Sequence, residues 1–126
     1  MTKNELVQKL AQRTNECGLI PAIHELLGNN VEVEIGFSAE TCAMDIDEIN
    51  FSVRAMNALR RAKIFTLGDV IKALSAEDLI KIRNLGKKSL NEIKSKMLSF
   101  GFAQLSPSAQ RAFFEDLVVR NQRVNY

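Results

Sequence analysis

The sequence predicts a mainly α protein: a compact bundle of short helices with a helix–hairpin–helix element, flanking helices and room for one short strand. Three observations predict it. From residue 50 the capping residues become regular, apolar side chains follow helical spacing along the sequence, and only one short stretch alternates with period two. The length of 126 residues suits one domain, or one small domain plus an appendage. With two Pro and six Gly it is neither collagen-like nor low in complexity.

The first helix opens at Thr2-Lys3-Asn4-Glu5, a capping box in which the Thr hydroxyl accepts from the amide of Glu5. Leu6, Val7, Leu10, Ala11 and Cys17 continue the stripe, and Gly18 is the expected stop. Pro21 suits the first turn of a second helix ending near Gly28. Residues 31–35 (Val-Glu-Val-Glu-Ile) alternate as a half-buried strand does; a strand and an extended linker both satisfy that pattern. Residues 36–48 read as a connector. Ser52 caps a helix to about Ala62, Thr66 and Asp69 open another, and Ser75 and Asp78 a third. After the tight turn Asn84-Leu85-Gly86 a helix runs from Lys87 to about Ser99, with Gly101 as its C-cap. Ser106-Pro107 starts a last helix whose apolar side is Phe113, Phe114, Leu117 and Val118. A core drawn from Val53, Met56, Leu59, Ile64, Leu67, Val70, Leu74, Leu79, Ile82, Leu85, Leu90, Ile93 and Met97 is expected for the middle of the sequence.

The near-neutral total of +2 conceals a division along the sequence. Residues 1–49 carry three basic and nine acidic side chains, a net of −6; residues 50–103 carry eleven and four, a net of +7; residues 104–126 sum to +1. A basic middle beside an acidic flank points toward nucleic acid. Within the basic part, Asn84-Leu85-Gly86-Lys87-Lys88-Ser89-Leu90-Asn91-Glu92-Ile93 joins a glycine turn to a helix that begins with two lysines and a serine. First-turn amides lack intrahelical acceptors, the dipole is positive there, and glycine lets a backbone come close, so the segment has the physics of a phosphate-binding helix start. The same residues also read as an ordinary capped helix with solvated lysines. They are not a nucleotide P-loop, having neither the preceding strand nor the second glycine.

Residues 46–105 resemble the C-terminal domain of the bacterial RNA polymerase alpha subunit. The resemblance is carried by Ser52-Val53-Arg54-Ala55 with Asn57, by Leu67-Gly68-Asp69-Val70, by Leu79-Ile80-Lys81, and by the segment from Asn84 to Ile93. It implies a helical bundle that docks on the A/T-rich minor groove of DNA and touches sigma factors and transcription regulators. By motif position, Arg54 resembles the groove-inserting arginine and Asn57 a backbone contact one turn on. Asn84, Gly86, Lys88 and Ser89 resemble the phosphate and sugar contacts of the hairpin, and Lys81 a further basic contact. A narrow A-tract groove concentrates negative potential, which accords with an inserted arginine. Arg83 stands where the family often has proline, Ala58 where it often has a polar residue or Cys, and Asn50 where it often has an acidic one. Nothing matches the alpha assembly domain, so the sequence reads as a stand-alone protein.

This implies three segments: an acidic helical part over 1–45, the DNA-binding domain over 46–105, and a C-terminal helix over 106–126. The expected function is that of a DNA-binding transcription accessory protein, without enzymatic activity. The alternative is an adaptor that binds RNA polymerase, sigma or a regulator, with homo-oligomerisation through its flanking helices. A helix–hairpin–helix nuclease lacks a catalytic cluster. No cofactor or metal is expected, since the single His24 has no ligand partners at suitable spacing. Cys17 and Cys42 are too few and too far apart for a metal knuckle and fit a reduced, cytoplasmic protein; no membrane span or signal segment is read. Glu32 and Glu34 read as a solvated face, Phe113 and Phe114 as packing residues before base-stackers, and Arg60, Arg61 and Lys63 as a basic face beside Arg54.

Overall fold

A computed structural model describes residues 2–31, 33, 35–82 and 85–121. Among them the protein forms seven α-helices and two short 3-10 turns, with no sheet. It divides into two compact units. One comprises Met1–Ile35 and Gly101–Tyr126, the other Gly36–Phe100.

In the first unit, α1 (Lys3–Cys17) starts where Thr2 accepts from the Glu5 amide at 3.2 Å. Gly18, at φ 99°, ends α1 and begins α2 (Leu19–Leu27), which Gly28 closes at φ 94°. Two left-handed glycines thus fold the backbone back on itself where other residues would be strained. Arg13 ties the two helices, its Nε 2.6 Å from Glu25 and its Nη1 2.7 Å from Glu16. The last helix, α7 (Pro107–Asn121), has Pro107 at its first position, and Ser106 accepts from the Ala109 amide at 3.2 Å. Leu6, Val7, Leu10, Leu19 and Ile23 bury against Phe102, Phe114, Leu117 and Val118. The Phe102 ring lies 5.5 Å from Phe113 and 5.1 Å from Phe114, the range of favourable aromatic pairs. The two α7 phenylalanines are therefore packing residues.

The strand considered for residues 31–35 does not form at the described positions. Val31, Val33 and Ile35 have no regular structure, and they pack partly buried on this first core. The side chains with period two are satisfied by burial of one edge, without a partner strand. Glu32 and Glu34 lie outside the described residues.

The second unit begins in the segment expected to be a connector. That segment folds: Ser38 caps α3 (Ala39–Cys42) through the Thr41 amide at 3.1 Å, and a 3-10 turn follows over Ile46–Glu48. Phe37, Met44, Ile46 and Ile49 are apolar anchors too widely spaced for one helix, and each joins the core. The bonds Leu67 N to Met44 O (2.8 Å) and Ile46 N to Phe65 O (3.0 Å) fasten the segment to the start of α5 (Leu67–Ser75). Gly68 is needed there: a Cβ would stand 3.0 Å from the Cys42 carbonyl oxygen.

Ser52 caps α4 (Val53–Arg61), and Thr66 and Asp69 form both halves of a capping box on α5. The Thr66 hydroxyl, with the Thr66 and Phe65 amides, holds the Asp69 carboxyl below its ordinary pKa. The helix expected from Ser75 or Asp78 is only a 3-10 turn, Asp78–Lys81. Ser75 instead ends α5, and Glu77 precedes the turn in a left-handed conformation, φ 58°, with no side-chain cap. Leu79, buried within it, anchors the turn to the core.

The helix that begins last in this unit, α6 (Lys87–Ala103), runs past the stop expected at Gly101, where the first unit resumes. The next residue, Phe102, is buried, and burying a phenylalanine yields about 1.5–3 kcal/mol against about 0.5–1 kcal/mol for a helical glycine. The end is closed instead by Gln104 N to Gly101 O (3.2 Å) and Leu105 N to Phe102 O (3.1 Å). The core of the second unit contains Leu59, Leu67, Val70, Leu79, Ile93 and Met97, with Met56, Leu74, Ile82, Leu85 and Leu90 at its margin. Val53, expected inside, is 77% exposed.

Candidate nucleic-acid interface

The residues that carry the resemblance lie on three elements of the second unit. Arg54 is the second residue of α4, and Asn57 follows one turn later; both are exposed. Ala58 is 2% exposed and belongs to the buried side of the helix, so its methyl is a core group. Lys81 ends the 3-10 turn, exposed, with Nζ 3.6 Å from Asp78. At this separation and exposure the pair is weak.

Asn84 and Arg83 lie outside the described residues. On either side of them Leu85 N donates to Ile82 O at 3.2 Å. Gly86 then accepts from the Leu90 amide at 3.0 Å, which makes it the residue just before α6. The amides of residues 87–89 therefore have no acceptor in the preceding turn of helix, and Lys87 and Lys88 are exposed beside them. Ser89 is 7% exposed, so its side chain faces inward more than the motif alone suggests.

Gly86 has no Cβ obstruction within 4 Å and no positive φ. Neither packing nor backbone strain calls for glycine at this position, in contrast to Gly68. An uncrowded glycine at the positive end of a long helix leaves the backbone open to a ligand from outside.

One residue of the motif couples these elements, and motif position did not single it out. Glu92, in the second turn of α6, accepts from the Ser52 amide at 2.6 Å and from the Ser52 hydroxyl at 2.7 Å. Lys96 steadies the carboxylate from 3.1 Å and also donates to the Asn50 carbonyl. Burial pushes Glu92 up, but the two Ser52 bonds and Lys96 together outweigh it and hold the carboxyl below its ordinary pKa. Ser52 in turn accepts from the Ala55 amide at 3.2 Å. The start of α4, with Arg54, and the start of α6, with Lys88, thus lie within about one turn of a shared anchor. A sequence signal for it existed: a capping serine and a helix glutamate, forty residues apart, but nothing local pairs them.

Other candidate groups stand elsewhere. Arg60 pairs with Asp47, both half exposed. His24 is exposed in the last turn of α2. Among the described residues no three His, Cys, Asp or Glu side chains gather as metal ligands, and no helix is long and apolar enough to cross a membrane.

The second unit thus sets two helix starts, one bearing arginine and the other paired lysines, beside a shared anchor. The family profile of the C-terminal domain of bacterial RNA polymerase alpha matches residues 37–99, and the protein belongs to that family. The DNA-directed RNA polymerase alpha subunit of Pseudothermotoga lettingae is 46% identical over 76 residues, 58% of this protein and 23% of that relative. The Syntrophomonas wolfei subunit is 56% identical over 54 residues, 43% of this protein and 17% of the relative. That of Thermotoga maritima is 52% identical over 52 residues, 41% and 15% respectively. The match thus spans less than a quarter of each of these relatives' length. No solved structure matches.

Proposed function

We propose that this is a DNA-binding transcription accessory protein whose second unit engages the minor groove of A/T-rich DNA. The observation that carries this is the Ser52–Glu92 anchor, which holds the Arg54 and Lys88 helix starts together. Arg54 enters the narrow groove, where the potential is most negative. Asn57, Lys81, Lys88 and the first-turn amides of residues 87–89, that of Ser89 among them, hold flanking phosphates, with Asn84 and Gly86 completing the hairpin contact. The 3-10 turn Asp78–Lys81 and α6 serve as the two arms of a helix–hairpin–helix. Binding is weak for a single copy and falls with salt as counterions are released.

Fluorescence anisotropy on A/T-rich and G/C-rich duplexes tests this reading. The wild type prefers the A/T-rich duplex, and Arg54→Ala removes the preference. Equal preference in the variant overturns the mechanism.

A second reading is supported by the first unit, which has a core of its own built from α1, α2 and α7. In it the protein is an adaptor for RNA polymerase, sigma or a regulator. Recovery of polymerase in a pull-down, with no duplex shift at low salt, selects it.

A further inference from the structure

We infer that Arg61 and Lys81 form a second phosphate-binding position that extends the DNA track along α4. This rests on the reading above and adds a residue that the motif does not assign. Arg54, Asn57 and Arg61 stand at i, i+3 and i+7, one face of a helix, and all three are exposed. Seven residues advance the helix by about 10 Å, or about three base-pair rises of a duplex. At the far end of this stripe Arg61 lines a concavity of about 480 Å³ with Lys81, Ala62, Ile82 and Asp78. The concavity therefore joins the end of α4 to the arm leading into the hairpin turn. Among the described residues its two cations exceed its one carboxylate, and Asp78 holds Lys81 only at 3.6 Å with both side chains mostly in water. Lys81 keeps donors for an incoming oxygen.

The neighbouring arginine is built differently. Arg60 lies about 120° around α4 from Arg54 and is engaged by Asp47. Of the two consecutive arginines, only Arg61 continues the stripe. That continuity with Arg54 favours DNA over an acidic protein partner as the occupant.

The test is a salt series by fluorescence anisotropy on A/T-rich and G/C-rich duplexes, with the full-length protein. Arg61→Ala lowers the magnitude of the log K against log salt slope by about 1 and weakens both duplexes equally, as loss of a phosphate contact does. Arg61→Lys retains most of the slope, and Arg60→Ala leaves it unchanged. Arg54→Ala differs by altering the A/T preference. A wild type that binds no DNA overturns the proposed function and this position with it. A wild type that binds, with an unchanged slope in Arg61→Ala, overturns this position alone. Loss of polymerase recovery by Arg61→Ala, at unchanged slope, also overturns it and assigns the concavity to a protein.

Discussion

The two units solve the same problem, a small helical core, from opposite materials. The first is assembled from both ends of the sequence and relies on long helices with apolar stripes, closed by three phenylalanines. The second is contiguous and joins several short pieces to most of α6, held by caps, tight turns and one glycine contact. The first unit spends its stripes internally, with Leu10, Leu117 and Val118 all nearly inaccessible. The second leaves helix starts and basic groups facing solvent. Counted by unit, the first carries six basic and seven acidic side chains and the second eleven and eight, giving −1 and +3. The steep division along the sequence is therefore much shallower in the folded units. Glu40, Asp45, Asp47 and Glu48 fold with the basic residues, and Asp47 neutralises Arg60 directly. A charge boundary in sequence is not a structural boundary.

The largest expected effects break one core at a time. Leu59→Ala and Leu10→Ala each truncate a side chain with 0% exposure, and each costs about 2–5 kcal/mol in chemical unfolding. Only Leu59→Ala is expected to abolish duplex binding. If Leu10→Ala, still folded at the assay temperature, loses as much affinity, the separation of roles between the units is wrong.

Glycines sharpen the comparison within the second unit. Gly68→Ala drives a Cβ against the Cys42 carbonyl and costs about 1–3 kcal/mol. Gly86→Ala meets no atom and changes stability by less than about 1 kcal/mol, while reducing duplex affinity. Thermal melts paired with anisotropy separate the two; a Gly86→Ala protein with full affinity removes the close backbone approach.

Glu92→Gln loosens the anchor by about 1 kcal/mol at neutral pH. Because the folded carboxyl lies below its ordinary pKa, its contribution is present above about pH 4.3 and is lost as pH falls through the folded value. The wild-type advantage over Glu92→Gln in urea midpoint should thus shrink on acidification; a constant difference from about pH 7 to about pH 3 contradicts the anchor. The smallest effect is a gain. Lys63, at φ 62°, follows α4 in the left-handed region, so Lys63→Gly stabilises by up to about 1 kcal/mol, whereas Lys63→Ala does not. Equal melting temperatures for the two variants would refute that strain.

The caps at Thr2, Ser52, Thr66 and Ser106, most of the second core, and the family are legible from residue order, because these depend on neighbours within four residues or on one contiguous motif. Positions of Arg54, Asn57, Lys81 and Lys88 on exposed turns followed from the same local rules. Tertiary structure alone decided the rest. It folded residues 36–48 into the second unit, since their anchors have no period and gain order only by burial. It carried α6 through Gly101, since the gain comes from Phe102 meeting phenylalanines eleven and twelve residues further on. It joined Ser52 to Glu92 across forty residues, and it set Arg60 apart from Arg61. Local sequence decides which hydrogen bonds a turn of helix makes with itself; the pairing of distant side chains depends on burial energy that the whole core supplies.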